Sequence, residues 1–369
     1  MDDSTSDGTQ MTAVQHMQSW LSACDEQHTC KALTLDRPSW LVDTVECCIV
    51  PGSNPNNYVA LSYTWQDSAS SENKEPFRLL EDNLQILTQP GSLRNHSQSP
   101  LPKVILDAME LTNRLGQRYL WVDRLCIIQD QETATMSEVM RMDQVYAGTY
   151  VTIVAAAKYG LFDTLTATLS NSEIENTGEF TEQIWEIQAH YSSLSESTWA
   201  QRASTYQEAI LSKRVIFSCE CATWDMNFLP SGKILDETVS VISELSLMRE
   251  FSVPLYPDFG LYMDFICPYN GRKLTDEKDG LSACLGILNR LAPSFRGGFI
   301  HGLPSHFLDY ALLWQPLKDC YRRTSTSKNA RYLPSWAWCG WQCFVDPWSF
   351  QASFRLDEND RLRKDKAAS

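Results

Sequence analysis

Short apolar runs alternate with helical patterns through the first two thirds of the chain. The run "YVALSYTW" (Tyr58–Trp65) is apolar at nearly every position, which is typical of a strand buried on both faces of a parallel sheet. The runs "RYLWVDRLCII" (118–128) and "YVTIVAAA" (150–157) predict two more strands. Cys126 falls inside the first of these, where core packing is favoured over nucleophilic chemistry, because a reactive thiol needs exposure and a nearby base.

Helical patterns separate these strands. "LPKVILDAMELTNRLGQ" (101–117) has a proline near its start and Gly116 as a natural stop. Its apolar positions repeat at +4, +3 and +4, at Val104, Ala108, Leu111 and Leu115. "MSEVMRMDQVYAG" (136–148) predicts a shorter helix. Strands that alternate with helices imply crossover connections, so we expect an α/β fold with a parallel sheet flanked by helices.

The remaining segments complete the expected plan. "MQSWLSAC" predicts a helix and "WLVDTVECCIV" (40–50) one strand, residues 66–100 a polar loop, and "RVIFSC" and "ATWDMN" two short strands after a helix that carries Glu208. Beyond residue 230, "ILDETVSVISELSLMRE" (234–250) and "DGLSACLGILNRLA" (279–292) are helical patterns. We therefore expect three regions: a preface at 1–50 whose first 15 residues are disordered, an α/β domain at 51–230, and a mostly helical region at 231–369 packed on it.

Charge and composition narrow the classes of function. The net charge is −15 and no dense Lys/Arg cluster is present, which argues against nucleic-acid binding. The 12 cysteines are spread unevenly through a long chain, a pattern that favours reduced thiols inside the cell. The N-terminus lacks the pattern of a signal peptide, and the longest apolar run is too short to span a bilayer. A soluble, cytoplasmic protein is expected.

The common nucleotide-binding, hydrolase and metalloprotease motifs are missing from the sequence. One group of residues has the chemistry of metal ligands: Cys24, His28 and Cys30, followed by Cys47 and Cys48. Four soft ligands could form a tetrahedral zinc site, but this spacing matches no common zinc finger. Buried thiols beside a hydrogen-bonded histidine are the favoured explanation of the group, and no metal site is assigned.

Polar side chains lie at the carboxyl ends of two predicted strands, where open parallel sheets collect ligands. Asp123 and Arg124 follow one strand, although Asp123 could instead cap the next turn. The group at the end of the first strand combines small, aromatic and acidic residues, which suits a polar ligand with a ring or, alternatively, a buried Tyr/Trp pair. Its members are Ser62, Tyr63, Trp65 and Asp67.

Taken together, four blocks resemble the HET domain of fungal heterokaryon-incompatibility proteins. They are "YVALSYTWQD", "LPKVILDAMELTNRLGQRYLWVDRLCIIQDQ", "MRMDQVYAGTYVTIVAAA" and "WAQRASTYQE", and the likeness extends over about Tyr58–Phe217. HET domains are distant relatives of TIR domains, so the resemblance implies a TIR/flavodoxin-like sheet. Many TIR domains hydrolyse NAD with one glutamate on a helix that follows the third or fourth strand. By motif order that residue is Glu208.

The resemblance also implies a chemistry and exposes a departure. Cleavage of the nicotinamide–ribose bond needs a carboxylate near the developing oxocarbenium ion, and neither metal nor cofactor is required, with NAD as the substrate. Arg202 and Ser204 join the strand-end residues as candidate ligand contacts. HET proteins usually carry Trp at position 204, one helical turn before Glu208. Tyr206 cannot replace it directly, because it points roughly 160° away from Glu208 on a regular helix.

Three functional hypotheses follow. The chain is a HET protein of non-self recognition and cell death that hydrolyses NAD through Glu208, a non-catalytic module that signals by self-association, or a HET-like scaffold adapted to another small-molecule reaction. In the second case Glu208 is a solvated helix acid or pairs with Arg202. The family implies an allelic protein partner, and the aromatic C-terminal half is either its recognition surface or ordinary core.

Overall fold

The computed structural model describes residues 13–27, 36–53, 57–65, 77–94, 100–156, 161, 194–218, 223–225, 255–324 and 333–349. The chain divides into two compact units, each built from several segments. The first unit comprises residues 1–138, 147–197 and 212–233, and the second comprises 139–146, 198–211 and 234–369. The domain boundaries expected from the sequence stay a prediction.

A seven-stranded mixed sheet organises the first unit. Along the sheet the strand order is β2-β1-β4-β3-β5-β6-β7. The central pairs β4–β3, β3–β5 and β5–β6 are parallel, whereas β1 and β7 join antiparallel. The strands are β1 (Trp40–Asp43), β2 (Cys48–Pro51), β3 (Tyr58–Tyr63), β4 (Tyr119–Trp121), β5 (Val151–Ala155), β6 (Val215–Ser218) and β7 (Thr223–Asp225). The predicted α/β class with a parallel core is confirmed.

Strand β3 lies at the centre of this sheet, and all six of its residues are buried, as its unbroken apolar pattern predicts. It pairs with β5 from Val59↔Val151 to Tyr63↔Ala155 and with β4 up to Ala60↔Trp121. Strand β3 therefore continues beyond the end of β4. The polar residues that follow the two strands lie at one edge of the sheet.

The predicted preface contributes directly to the sheet. Helix α1 (Ala13–Gln27) confirms the predicted helix, and it includes residues 13–15 of the segment expected to be disordered; residues 1–12 lie outside the described residues. The prediction of one strand at 40–50 is wrong. The run forms an antiparallel hairpin of β1 and β2, and Cys47 in its turn has a φ of 51°.

Two other predictions between β3 and β5 need correction. The predicted strand at 118–128 ends at Trp121 and is followed by the helical turn α4 (Asp123–Cys126). Cys126 is therefore helical, although it is fully buried as predicted, and burial raises its pKa to about 12. Part of the predicted loop is also helical, with a 3₁₀ turn at Glu81–Asn83 that leads into α2 (Leu84–Leu87).

The helix predicted at 101–117 is confirmed as α3 (Lys103–Arg114). It ends in a left-handed turn at Gly116, whose φ is 75°. The helix predicted at 136–148 divides into α5 (Glu132–Met140) and α6 (Met142–Ala147). None of the described helices is long and apolar enough to cross a lipid bilayer.

The second unit is built from helices around an aromatic core. Its core includes Tyr262, Tyr269 and Trp338, all fully buried. The predicted helix at 234–250 lies outside the described residues. Besides most of α6, the helices described in this unit are α7 (Thr198–Gln201), α8 (Ala203–Leu211), α9 (Phe259–Asn270), α10 (Leu285–Leu291) and α11 (Leu308–Ala311). Two short antiparallel pairs complete it: β8 (Phe299–Ile300) with β9 (Leu303–Pro304), and β10 (Tyr321–Arg322) with β11 (Trp341–Gln342).

Candidate functional site

The structure brings together three of the residues predicted at the strand ends. Trp65 follows β3, while Asp123 and Arg124 open α4 directly after β4. Since β3 and β4 are adjacent and parallel, their carboxyl ends lie side by side. We call Trp65, Asp123 and Arg124 the sheet-end group.

Hydrogen bonds fix the aspartate of this group. The indole Nε1 of Trp65 donates to Oδ2 of Asp123 at 2.8 Å, and the backbone N–H of Arg124 donates to Oδ1 at 2.6 Å. The amide of Gln129 also donates to the backbone carbonyl of Asp123 at 3.0 Å. Asp123 therefore organises the turn after β4, as one of its two sequence interpretations predicts, and also anchors Trp65. Sequence reasoning missed Gln129, for which the signal was a polar residue directly after an apolar run.

Arg124 is the least ordinary member of the sheet-end group. Its side chain is 2% exposed, and its Cζ lies 4.3 Å from the centroid of the Trp65 ring. Its Nε and Nη2 have no hydrogen-bond partner in the part of the chain that the structure describes. The cation–π contact offsets some of the cost of burying the charge, but buried N–H groups are normally paired. The two N–H groups are thus buried donors that the described residues leave without an acceptor.

The other predicted residues of this edge differ in their placement. Ser62 is fully buried and Tyr63 is 7% exposed, so both belong to the interior of the sheet. Asp67 lies outside the described residues. The expectation of a ring-stacking surface also changes, because Arg124 already covers one face of the Trp65 ring.

Glu208 belongs to the second unit, on helix α8. The junction of α7 and α8 is tied to residue 273: the N–H of Lys273 donates to the carbonyl of Gln201, and the N–H of Ala203 donates to that of Lys273. The hydroxyl of Thr205 reaches back to the carbonyl of Trp199 at 2.5 Å. These bonds satisfy backbone groups at the start of a short helix and hold it in place.

Glu208 itself is 7% exposed and is therefore not a solvated surface acid. The preceding residue, Gln207, is held by its Oε1, which accepts from the N–H of Gly286 at 2.9 Å. Asp143 packs against the same glycine, and burial raises the pKa of its carboxyl. Arg202 donates to the hydroxyl of Thr275 at 3.3 Å.

Ser204 and Tyr206 have different surroundings on the same helix. Ser204 is half-buried, whereas Tyr206 is 2% exposed and packs in the core with Ala203. The guanidinium of Arg272 lies 4.3 Å from the centroid of the Tyr206 ring. Tyr206 is thus held by its packing on the core side of the helix.

The possible metal ligands are only partly described. Cys24, Cys47 and Cys48 are buried free thiols, while His28 and Cys30 lie outside the described residues. The sulfur of Cys47 accepts from Nε of Arg94 at 2.9 Å. Within the described ranges, no three metal-ligating side chains lie together.

Comparison with known proteins agrees with the blocks quoted above. The family model for the heterokaryon incompatibility protein (HET) matches residues 58–208. Heterokaryon incompatibility protein 6, OR allele, from Neurospora crassa is 28% identical over 126 residues, which cover 34% of this chain and 18% of that protein. No solved structure matches the chain. Residues 58–208 therefore resemble the HET domain, and the matched part spans less than a fifth of the Neurospora relative's length.

Proposed function

We propose that this HET domain acts in heterokaryon incompatibility and cell death, and that it does so by hydrolysing NAD at the nicotinamide–ribose bond with Glu208 as the catalytic carboxylate. The observation that carries the proposal is the burial of Glu208, 7% exposed, at the position where the TIR-like resemblance expects a catalytic glutamate. Burying an ionised carboxylate costs stability unless its surroundings compensate, and helix α8 is buried along nearly its whole length.

The chemistry suits a single carboxylate. As the bond to nicotinamide breaks, positive charge develops on the ribose, and a carboxylate in a water-poor position stabilises it more strongly than one in bulk water. Water then adds to the ribose carbon, so that NAD and water give nicotinamide, ADP-ribose and a proton. Nicotinamide leaves without protonation, and Glu208 therefore needs no partner acid.

The sheet-end group supports a second, independent proposal, which is that it binds an anionic group such as the phosphate of a nucleotide. Arg124 offers two N–H groups without a hydrogen-bond partner in the described part of the chain. A guanidinium with free N–H groups is well suited to phosphate or carboxylate oxygens. Trp65 and Asp123 hold the turn from which Arg124 projects.

The test of hydrolysis is nicotinamide release from NAD by the purified full chain. We expect Glu208→Gln to lower the rate by about 10²-fold or more, the usual scale for losing one electrostatic contact to the transition state. The matched control is Glu110→Gln, which removes an exposed acid of α3 and should leave the rate unchanged.

The variant Ser204→Trp restores the aromatic residue that is usual in the family at this position. It should raise the rate of nicotinamide release, by up to about tenfold if it adds one aromatic contact.

Two outcomes would overturn the catalytic proposal. One is the absence of nicotinamide release from the wild-type chain at high concentration; light scattering on the same sample then tests the self-associating, non-catalytic hypothesis. The other is a Glu208→Gln variant as active as the wild type. Circular dichroism of each variant separates loss of chemistry from loss of fold.

A further inference from the structure

Two cysteines flank the short strand pair β10–β11 at the same end, in the second unit. The register of β10 and β11 pairs Tyr321 with Gln342 and Arg322 with Trp341. Cys320 directly precedes β10 and Cys343 directly follows β11, so the same register extended by one position would pair them. Directly opposed residues of antiparallel strands have Cα atoms about 4.5–5.5 Å apart. This spacing falls within the range that a disulfide bridges without movement of the backbone.

The two side chains also interact. Both are free thiols. The pKa of Cys343 is raised to about 12, first by burial and then by the neighbouring Cys320 thiol. Nδ2 of Asn270 donates to the sulfur of Cys343 at 3.7 Å, which fixes that side chain from the α9 side. The thiols are therefore neighbours at the end of a paired segment, and Cys343 is fixed by Asn270.

Exposure distinguishes this pair from the other cysteines that the structure describes. Cys320 is half-buried, whereas the remaining described cysteines are all buried. A reagent in solution therefore reaches the Cys320 thiol before it reaches the other described thiols. Cys343 is then the thiol best placed along the strand register to attack the oxidised sulfur of Cys320.

We propose that Cys320 and Cys343 form a reversible disulfide, which makes this strand pair an oxidative modification site. With a peroxide as the oxidant, the Cys320 thiolate first becomes a sulfenic acid and releases hydroxide. The Cys343 sulfur then attacks the Cys320 sulfur, and the hydroxyl group leaves as water with the Cys343 proton. Two thiols and one hydrogen peroxide give one disulfide and two waters, and the two electrons pass to the peroxide.

The proposed disulfide would lie beside a group of hydrogen bonds in the second unit. Arg323, next to β10, is 4% exposed and donates to the carbonyls of Trp341 and Asn270 and to the carboxylate of Glu277. A disulfide one position beyond the pair would close the chain from 320 to 343 covalently around these contacts. We expect the oxidised unit to resist unfolding more than the reduced one, because the cross-link restricts its unfolded chain.

The experiment treats the full chain with hydrogen peroxide, alkylates the remaining thiols and identifies cross-linked peptides by mass spectrometry. Trypsin cleaves after Arg322 and Arg323, so the two cysteines fall in different peptides. We expect a Cys320–Cys343 peptide pair that disappears on reduction, together with a Tm that rises by several degrees on oxidation. Both effects should be lost in Cys320→Ser, which changes a half-buried side chain and should fold.

Three results would overturn the proposal. Cys320 could be oxidised to its sulfinic acid with no link to Cys343, it could join another cysteine or a second chain, or it could keep its free thiol throughout. Cys343→Ser is a second check: it should trap Cys320 as the sulfenic acid, which a dimedone probe detects. Because Cys343 is buried, this variant is interpreted only alongside Cys320→Ser, which decides the question if Cys343→Ser fails to fold.

Discussion

Arg124 places a full charge where only 2% of the side chain is exposed. The contact with the Trp65 ring contributes about 2 kcal/mol for a desolvated pair, whereas two buried N–H groups without an acceptor among the described residues cost about 1–3 kcal/mol each. The local interactions therefore do not compensate for burying this residue in the absence of a ligand. At the scale of a single residue, this imbalance favours a binding role over a structural one.

We predict that Arg124→Met leaves the free energy of unfolding unchanged or raises it, while it abolishes the rise in Tm caused by a bound nucleotide. A methionine fills much of the same volume and removes the buried charge. Thermal unfolding with and without millimolar ADP-ribose measures both effects in one experiment.

Trp65→Phe is the matched control for this prediction. It keeps an aromatic face for Arg124 but removes the Nε1 donor to Asp123, so ligand stabilisation should persist in weakened form. A large loss of stability in Arg124→Met, with ligand stabilisation retained, would show that the arginine is structural.

At the scale of elements, the sequence pattern predicted whether most described segments are helices or strands. Its predictions failed where a single residue redirects the backbone. The run 118–128 reads as a single strand because short apolar runs do not distinguish a buried strand from a buried helix. The carboxylate of Asp123 accepts from the N–H of Arg124 and turns the chain after Trp121. Similarly, the apolar pattern at 40–50 did not reveal that Cys47 adopts a positive φ and folds the run into a hairpin.

Helix α1 is attached to the sheet by one ionic cluster that the sequence could not reveal. Asp25 of α1 pairs with Arg214, whose side chain is 2% exposed, and accepts from the hydroxyl of Tyr150 at 2.8 Å. The Arg214 guanidinium also lies 4.7 Å from the centroid of the Tyr150 ring. Residue 25 lies more than 120 positions from either partner in the sequence, so no local pattern brings them together.

We predict that Asp25→Ala lowers the free energy of unfolding by about 1–3 kcal/mol, because it leaves a buried guanidinium without its counter-ion. This expected loss in the free energy of unfolding is smaller than for a fully buried ion pair, because the side chain of Asp25 is 46% exposed. Urea unfolding measures the change, and Glu26→Ala, an exposed acid of the same helix, is the matched control. Equal stabilities for the two variants would show that the cluster contributes little.

At the scale of the whole molecule, the candidate site was predictable only in part. The rule that ligands collect at strand ends pointed to Asp123 and Arg124, since it depends on topology alone, and the structure places both residues directly after β4; their binding role stays a prediction. It could not foresee the direction of the Arg124 side chain, which depends on packing against Trp65. Motif order likewise pointed to Glu208, but only the burial of α8 shows that this acid is removed from solvent.

The division into two compact units has a consequence for stability that one glycine can test. Gly302, in the turn between β8 and β9, has a φ of 84°, and an added Cβ would lie 2.5 Å from Cζ2 of Trp338. The carbonyl of Gly302 also accepts from the hydroxyl of Tyr262, itself hydrogen-bonded to the indole of Trp338. This turn and the aromatic core of the second unit therefore depend on each other.

We predict that Gly302→Ala destabilises the second unit by about 2 kcal/mol or more, through both strain at positive φ and overpacking. Hydrogen exchange read by mass spectrometry should show faster exchange in α9 and around Trp338, with the amides of β3 unchanged. Gly298→Ala separates the two causes, because Gly298 has a φ of 65° but nothing within 4 Å of the added Cβ. It should show the cost of strain alone, and a loss of protection in β3 as large as that in α9 would mean that the two units unfold as one.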